Sequence, residues 1–238
     1  MASLYRRQNG AGFGNTPRPG EFAQGRAKPL KRPSQARAKF TVHAIYEAFV
    51  RIWRSEGPAA ATTRTVALEA GYSVGTLYEY FPNRDALLSG YVRYIVETML
   101  ARMRSEVTEA TAQPWQVRVA HLVRLTCCDS RLQLPYFDLA MLQCEDRIAE
   151  PKHHRRVFDE FCRAWQAALA ACPDLPAPAG PETIQTLVTA VWGGRRYRLL
   201  LPDSPPADCV WIEALVQSCL RVLGAPTTSD ASSALYGV

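Results

Sequence analysis

Residues 62–88 read TTRTVALEAGYSVGTLYEYFPNRDALL, and their spacing predicts two short helices joined by a tight turn. Thr62 suits the N-cap of the first, because its hydroxyl accepts from the free amides of the opening turn. Val66, Ala67 and Ala70 then give a small apolar face that presses closely on a neighbour. Gly71 stops this helix, since the left-handed conformation costs glycine nothing. Ser73 caps again at once, so the connection is about three residues long and the crossing must be steep, as in a helix-turn-helix. In the second helix Leu77 and Phe81 stand at i and i+4 and face inward. Val74, Gly75, Thr76, Tyr78 and Tyr80 are left at its front or side, where a helix of this kind enters a major groove. Pro82 ends it and Asn83 caps a third helix, whose stripe Leu88, Val92, Ile95, Met99, Met103 marks a long amphipathic rod.

These residues resemble the DNA-binding domain of the TetR-type (tetracycline-repressor-like) transcriptional regulators, whose signature runs T-T-x-x-[IV]-A-x-x-A-G-[VY]-S-x-G-T-L-Y-x-Y-F-x-[ND]-[KR]-x-x-L. The chain meets it with Thr62, Thr63, Val66, Ala67, Ala70, Gly71, Tyr72, Ser73, Gly75, Thr76, Leu77, Tyr78, Tyr80, Phe81, Asn83, Arg84 and Leu87. Tyr72 stands where Val is usual and Arg84 where Lys is commoner. The motif-level likeness covers roughly residues 36 to 90. It implies double-stranded DNA as a partner, with Thr63, Tyr78, Tyr80 and Arg84 on phosphates and Val74, Gly75 and Thr76 at bases. Arg64 is of a type that forks onto a guanine edge, and phosphate contacts position without specifying.

Composition sets the frame around this motif. At 238 residues, 47% hydrophobic and 21% charged, the chain buries a substantial core in one large or two modest domains. No apolar run approaches the roughly 18–20 residues of a membrane span, and the N-terminus lacks a secretory core, so no membrane partner and a cytoplasmic location are expected. Seven cysteines, without C-x-x-C spacing, fit neither a disulfide framework nor a zinc site. His153 and His154 are adjacent and diverge by about 100° on a helix, so they do not form a metal pair. Neither a metal nor a cofactor is expected. The net charge of +6 is carried by residues 1–39, which hold nine Lys or Arg against Glu21 alone. Residues 1–33 read as a disordered basic arm, either a tether along DNA phosphates or the minor groove or a solubilising tail.

The remainder reads as all α, with about nine helices: a three-helix head over 34–83, a larger helical ligand-binding and dimerisation body over 84–224, and a flexible tail over 225–238. Ser34 caps a first helix from Arg37 to Glu56, with Ile45, Ala48, Phe49 and Ile52 inward and Trp53 in the head core. The long rod runs from Arg84 to about Glu109, and another helix from Trp115 to Cys128. Pro135 is expected to open a helix carrying Phe137, Met141, Cys144 and Ile148. After Pro151 comes a helix from His153 to Cys172, then a Pro-rich loop over 173–181 and two final helices, Glu182 to Leu201 and Ala207 to Leu223. From Val210 to Leu223 apolar residues surround the helix, so both sides must be covered, one most simply by a second subunit of a homodimer. Gly193 and Gly194 permit close helix approach.

Resemblance further implies a small-molecule effector enclosed by the middle helices, which releases a repressor from a palindromic operator. Its candidate lining is Trp115, His121, Tyr136, Phe137, Met141, Cys144, Phe158, Phe161, Trp165 and Trp192. An aromatic lining suits an apolar or aromatic effector, although each residue also reads as ordinary core. No nucleotide-cradling glycine loop, G-x-S-x-G or H-E-x-x-H occurs, so no catalytic residues are assigned. Two alternatives stand beside this reading: a redox sensor built on Cys127 and Cys128, and a basic architectural protein that binds DNA nonspecifically through its arm.

Overall fold

The computed structural model describes residues 36–201 and 206–224. The basic arm, the Ser34 cap and the tail lie outside the described residues. Among those described, every regular element is helical and none is long and apolar enough to cross a membrane.

Helix α1 spans Ala36–Glu56 and buries Ile45, Ala48, Phe49, Ile52 and Trp53, the inner stripe expected. Gly57, at φ 87°, turns the chain into a short 3-10 turn at Pro58–Ala60. Helix α2 (Thr63–Glu69) begins with a reciprocal cap. The Thr62 hydroxyl accepts from the Thr65 amide at 3.1 Å, and the Thr65 hydroxyl accepts from the Thr62 amide at 3.0 Å. Gly71 leaves α2 at φ 75°, the left-handed conformation anticipated for a stop. Helix α3 (Val74–Tyr80) starts where the Ser73 hydroxyl accepts from the Thr76 amide at 3.0 Å. Asn83 caps α4 (Arg84–Met103) through the Ala86 amide at 2.8 Å. A π-helical turn, Arg104–Thr108, carries α4 on to the Glu109 expected.

Val66, Ala67 and Leu77 are fully buried and Phe81 nearly so, which closes the head around α1. Its aromatics run on into the first half of α4. Tyr46 meets Phe81 and Tyr91, both at 5.6 Å, and Phe49 meets Tyr91 at 5.6 Å. Head and rod thus share one core cluster.

In the body, α5 (Trp115–Thr126) lies against α4, α8 and α11. The helix expected from Pro135 does not form there. Residues 133–138 carry no helix, and α6 (Leu139–Gln143) begins after Asp138, whose carboxylate accepts from the Met141 amide at 2.8 Å. A first turn at Pro135 would have Leu134 as its cap, and leucine has no acceptor; aspartate three residues on does. Cys144 then interrupts the rod before α7 (Glu145–Ile148). Helix α8 (Pro151–Ala170) starts at Pro151 rather than His153, because Nδ1 of His153 accepts from the Glu150 amide at 2.9 Å and closes a capping box. Helix α9 (Pro181–Val188) passes through a π-helical turn, Thr189–Gly193, into α10 (Gly194–Leu199). Helix α11 (Asp208–Gly224) lays Ile212, Val216, Cys219 and Leu223 on α5. Among the described residues, counting α6 with α7 and α9 with α10 as interrupted rods gives nine, the number expected.

Two ties fasten the body. Buried Glu145 is gripped by both terminal nitrogens of Arg196, one at 2.7 Å, which joins α7 to α10. Gly194 allows α10 to approach α11, since a Cβ there would lie 3.1 Å from the Trp211 ring. Gly193 faces open space and has no such role within the chain.

Candidate nucleic-acid interface and cleft

The front of the head is built from the N-terminus of α2 and the outer face of α3. Arg64 is exposed and, among the described residues, forms no ion pair. Thr63 is half-buried, and its hydroxyl lies 3.2 Å from the Tyr78 hydroxyl, so the two form one polar edge across the turn. Tyr78 is 45% exposed. Gly75 is exposed, and a Cβ there would meet only the Ser73 hydroxyl at 3.6 Å; backbone can approach a ligand closely here. Thr76 engages the cap with its hydroxyl, 2.9 Å from that of Ser73. Val74 is half-buried against the core.

Two of the residues expected on phosphates find partners within the head. Tyr80 is buried, with its ring 6.4 Å from that of Phe81. Helical periodicity explains this, because Leu77, Tyr80 and Phe81 at i, i+3 and i+4 form a single inward face. Arg84 turns back into the head. Its Nε donates to the Ala61 carbonyl at 3.0 Å, an Nη donates to that of Pro58, and the guanidinium lies 5.4 Å from the Trp53 ring. These bonds hold the link between α1 and α2.

A cleft opens where α1 and α4 meet the body. It has two lobes of about 1050 and 1080 Å³. His43, Tyr46, Tyr94, Phe137, Cys128 and Arg195 wall both lobes and so mark the neck between them. One lobe runs toward Arg54, Tyr136 and Trp211, the other toward Ile148, Val157, Phe158 and Trp192. At the neck, His43 Nε2 and the Tyr94 hydroxyl are 3.0 Å apart, a bond from α1 to α4.

Of the ten aromatic, sulfur and histidine candidates, Tyr136, Phe137, Phe158 and Trp192 line this cleft. The other six do not. Met141, Phe161 and Trp165 are fully buried core; Phe161 stacks on Trp192 from behind at 4.8 Å, and the Trp165 indole donates to the Thr126 hydroxyl at 3.1 Å. Trp115 is packed against Gly224 at the far end of the body. His121 bonds Glu106 at 2.8 Å, and Cys144 sits at the break between α6 and α7. His43, Tyr94 and Arg195 passed unmarked in the sequence because they are polar residues beside apolar stripes. The usable signal was that Val42, His43 and Tyr46 share a side of α1 that its inner stripe does not fill.

Burial pushes the thiols of both Cys127 and Cys128 up, and Arg195 beside them offsets this only in part. Such thiols are poor nucleophiles, which weighs against the redox alternative. Among the described residues no group of His, Cys, Asp or Glu is arranged to hold a metal ion.

Residues 45–90 match the family described as bacterial regulatory proteins, tetR family. Comparison with curated proteins gives no match. Among solved structures, a TetR transcription regulator from Haloarcula marismortui shares 17% identity over 79% of this chain and 98% of its own, with a TM-score of 0.60. A TetR/AcrR-family regulator from Thermobifida fusca shares 16% over 78% and 98%, with a TM-score of 0.54. The head thus matches the tetR family over residues 45–90, and the chain as a whole shares the all-helical fold of solved TetR-type regulators.

Proposed function

We propose that the protein is a homodimeric repressor of the cytoplasm that holds a palindromic operator until a small molecule enters the cleft. Residues 34–83 act as the reading head and 84–224 as the sensing and dimerising body. Arg64, Gly75, Thr76 and the Val74 methyls meet base edges, while Thr63 and Tyr78 meet phosphate. Pairing rests on the outer faces of α10 and α11, where Tyr197, Leu200, Val210 and Val222 are each at least half exposed. Two heads related by a two-fold axis then present α3 about 34–36 Å apart, one helical turn of DNA.

The observation that carries this reading is the shared wall of the cleft: Val42, His43 and Tyr46 come from the head, Phe158, Trp192 and Arg195 from the body. An occupant that fits one pose of head on body better than another shifts the equilibrium between them, by no more than the difference in its affinities. Selection of bound genomic fragments, with and without a pool of small metabolites, tests it. The expected result is a palindromic consensus whose recovery falls when the pool is added. Recovery of unrelated sequences with equal efficiency would instead support nonspecific architectural binding.

A further inference from the structure

Most cations of the cleft are neutralised: Arg196 is held by Glu145, Arg93 by Glu97, Arg156 by Glu160, Arg131 by Asp129 and Arg198 by Asp208. Lys39 and Arg54 form no ion pair among the described residues but are exposed, Arg54 lying 4.8 Å from the Tyr136 ring. Arg195 differs. It is half-buried, walls both lobes at the neck, and forms no ion pair among the described residues. Its contact is the Cys128 thiol, a weak partner for a guanidinium. A partly desolvated cation without a counter-charge is costly, and the cost is recovered when an anion arrives.

We propose that the effector is a small organic monocarboxylate whose carboxylate pairs with Arg195 at the neck and whose apolar part lies along Phe137, Val157, Phe158 and Trp192. The assignment rests on reading the cleft as the effector site. A planar guanidinium matches a carboxylate through two parallel N–H donors. One half-buried, unpaired cation at the neck suits one negative charge. A phosphate monoester, with nearly two, would need a second cation at the neck itself, whereas Lys39 and Arg54 are exposed and Glu145 and Asp146 also face the cleft. The Tyr94 hydroxyl and His43, at the same neck, supply a donor for the second carboxylate oxygen. Pairing there touches α1 and α10 at once, so the charge that is recognised also spans head and body.

The test uses the full-length protein and matched triplets of acid, primary amide and amine built on phenylpropanoic, indole-acetic and octanoic skeletons, followed by Trp fluorescence and thermal shift. Acids should bind at least about tenfold tighter than their amides, and amines not at all. Arg195→Gln should abolish that preference and Arg195→Lys restore part of it, with both variants still binding operator DNA. Amides binding as tightly as acids, or acid binding unchanged in Arg195→Gln, would overturn the carboxylate assignment while leaving the cleft as effector site. If no member of any triplet binds, both the assignment and the cleft's sensing role fail.

Discussion

The Trp53 indole nitrogen donates to the Asp138 carboxylate at 3.0 Å, joining the last turn of α1 to the cap of α6. The same carboxylate accepts from the Tyr136 hydroxyl at 3.0 Å, and the Tyr136 carbonyl accepts from the Tyr91 hydroxyl at 2.7 Å. Head and one cleft wall therefore meet on the Asp138 side chain, and α4 joins them through the Tyr136 carbonyl. Replacing Trp53 by Phe keeps a ring and removes the donor, at a cost of about 1–3 kcal/mol. The expected outcome is a lower melting temperature together with an effector response, read by fluorescence anisotropy of labelled operator, that differs from wild type. An unchanged melt and response would mean that this bond carries nothing between the two parts.

At the front of the head, Arg64 and Tyr78 should separate cleanly. Arg64→Ala is expected to relax sequence preference at one operator position by about 1–3 kcal/mol. Tyr78→Ala should weaken all duplexes alike, since its hydroxyl, 3.2 Å from that of Thr63, is proposed to meet phosphate. Binding to a set of single-base operator variants measures both. Preference intact in Arg64→Ala would remove that residue from the base-reading set.

Val210 and Val222 project from α11 with 55% and 52% of their surface exposed. Introducing glutamate at both should leave the monomer folded, because Ile212, Val216, Cys219 and Leu223 still pack on α5. Sedimentation should then show a single subunit, and operator affinity should fall by about 10²-fold or more as the second head ceases to be tethered. A double variant that remained dimeric would move the interface elsewhere.

The head was legible in the sequence because its signals are local: a hydroxyl cap, a glycine stop and an i, i+4 apolar pair each act within one or two turns. Thr62, Gly71, Ser73 and Asn83 all perform as their positions predict. The sequence was less legible where a side chain's partners lie at long range. Arg84 reads as a phosphate contact by motif, yet its partners are carbonyls 23 and 26 residues away. Pro135 reads as a helix start, but Asp138 supplies the cap and the Tyr91 hydroxyl takes the Tyr136 carbonyl, which lies outside any helix. The cleft was half legible for the same reason. Aromatic periodicity finds apolar surface without telling Phe161 and Trp165, buried behind the wall, from Phe158 and Trp192 on it.

Near the end of α4, Glu106 receives Arg102 and His121, and these bonds, Arg102's foremost, hold its carboxyl below the ordinary 4.5. A depressed carboxylate adds stability above its unfolded pKa and loses it as pH falls through the folded value. Glu106→Gln should therefore melt lower than wild type at neutral pH, and the gap should narrow progressively below about pH 4.5. The effect is modest, because a third of the side chain meets water. A gap that stayed constant down to acid pH would locate the loss in packing and not in charge.

Arg118 is fully buried and, among the described residues, forms no ion pair. Its Nε and one Nη donate to the Val107 carbonyl at 2.9 and 2.7 Å, that Nη also reaches Thr108 at 3.0 Å, and the other Nη donates to Ala171. Those acceptors are the closing carbonyls of α4's π-helical turn and the cap of α8, where helix dipoles are negative and a cation is favoured. One guanidinium thus fastens two helix ends that α5 alone would leave unsatisfied. Arg118→Met should strand these carbonyls and cost about 3–5 kcal/mol, a large part of the roughly 5–15 kcal/mol that holds a domain together. Arg118→Lys should retain the charge but reach only one helix end, recovering about half. Urea denaturation of both variants measures this, with the operator surface of the head untouched. A methionine variant within about 0.5 kcal/mol of wild type would show that water satisfies those carbonyls equally well, and that the body does not depend on Arg118 to hold α4 against α8.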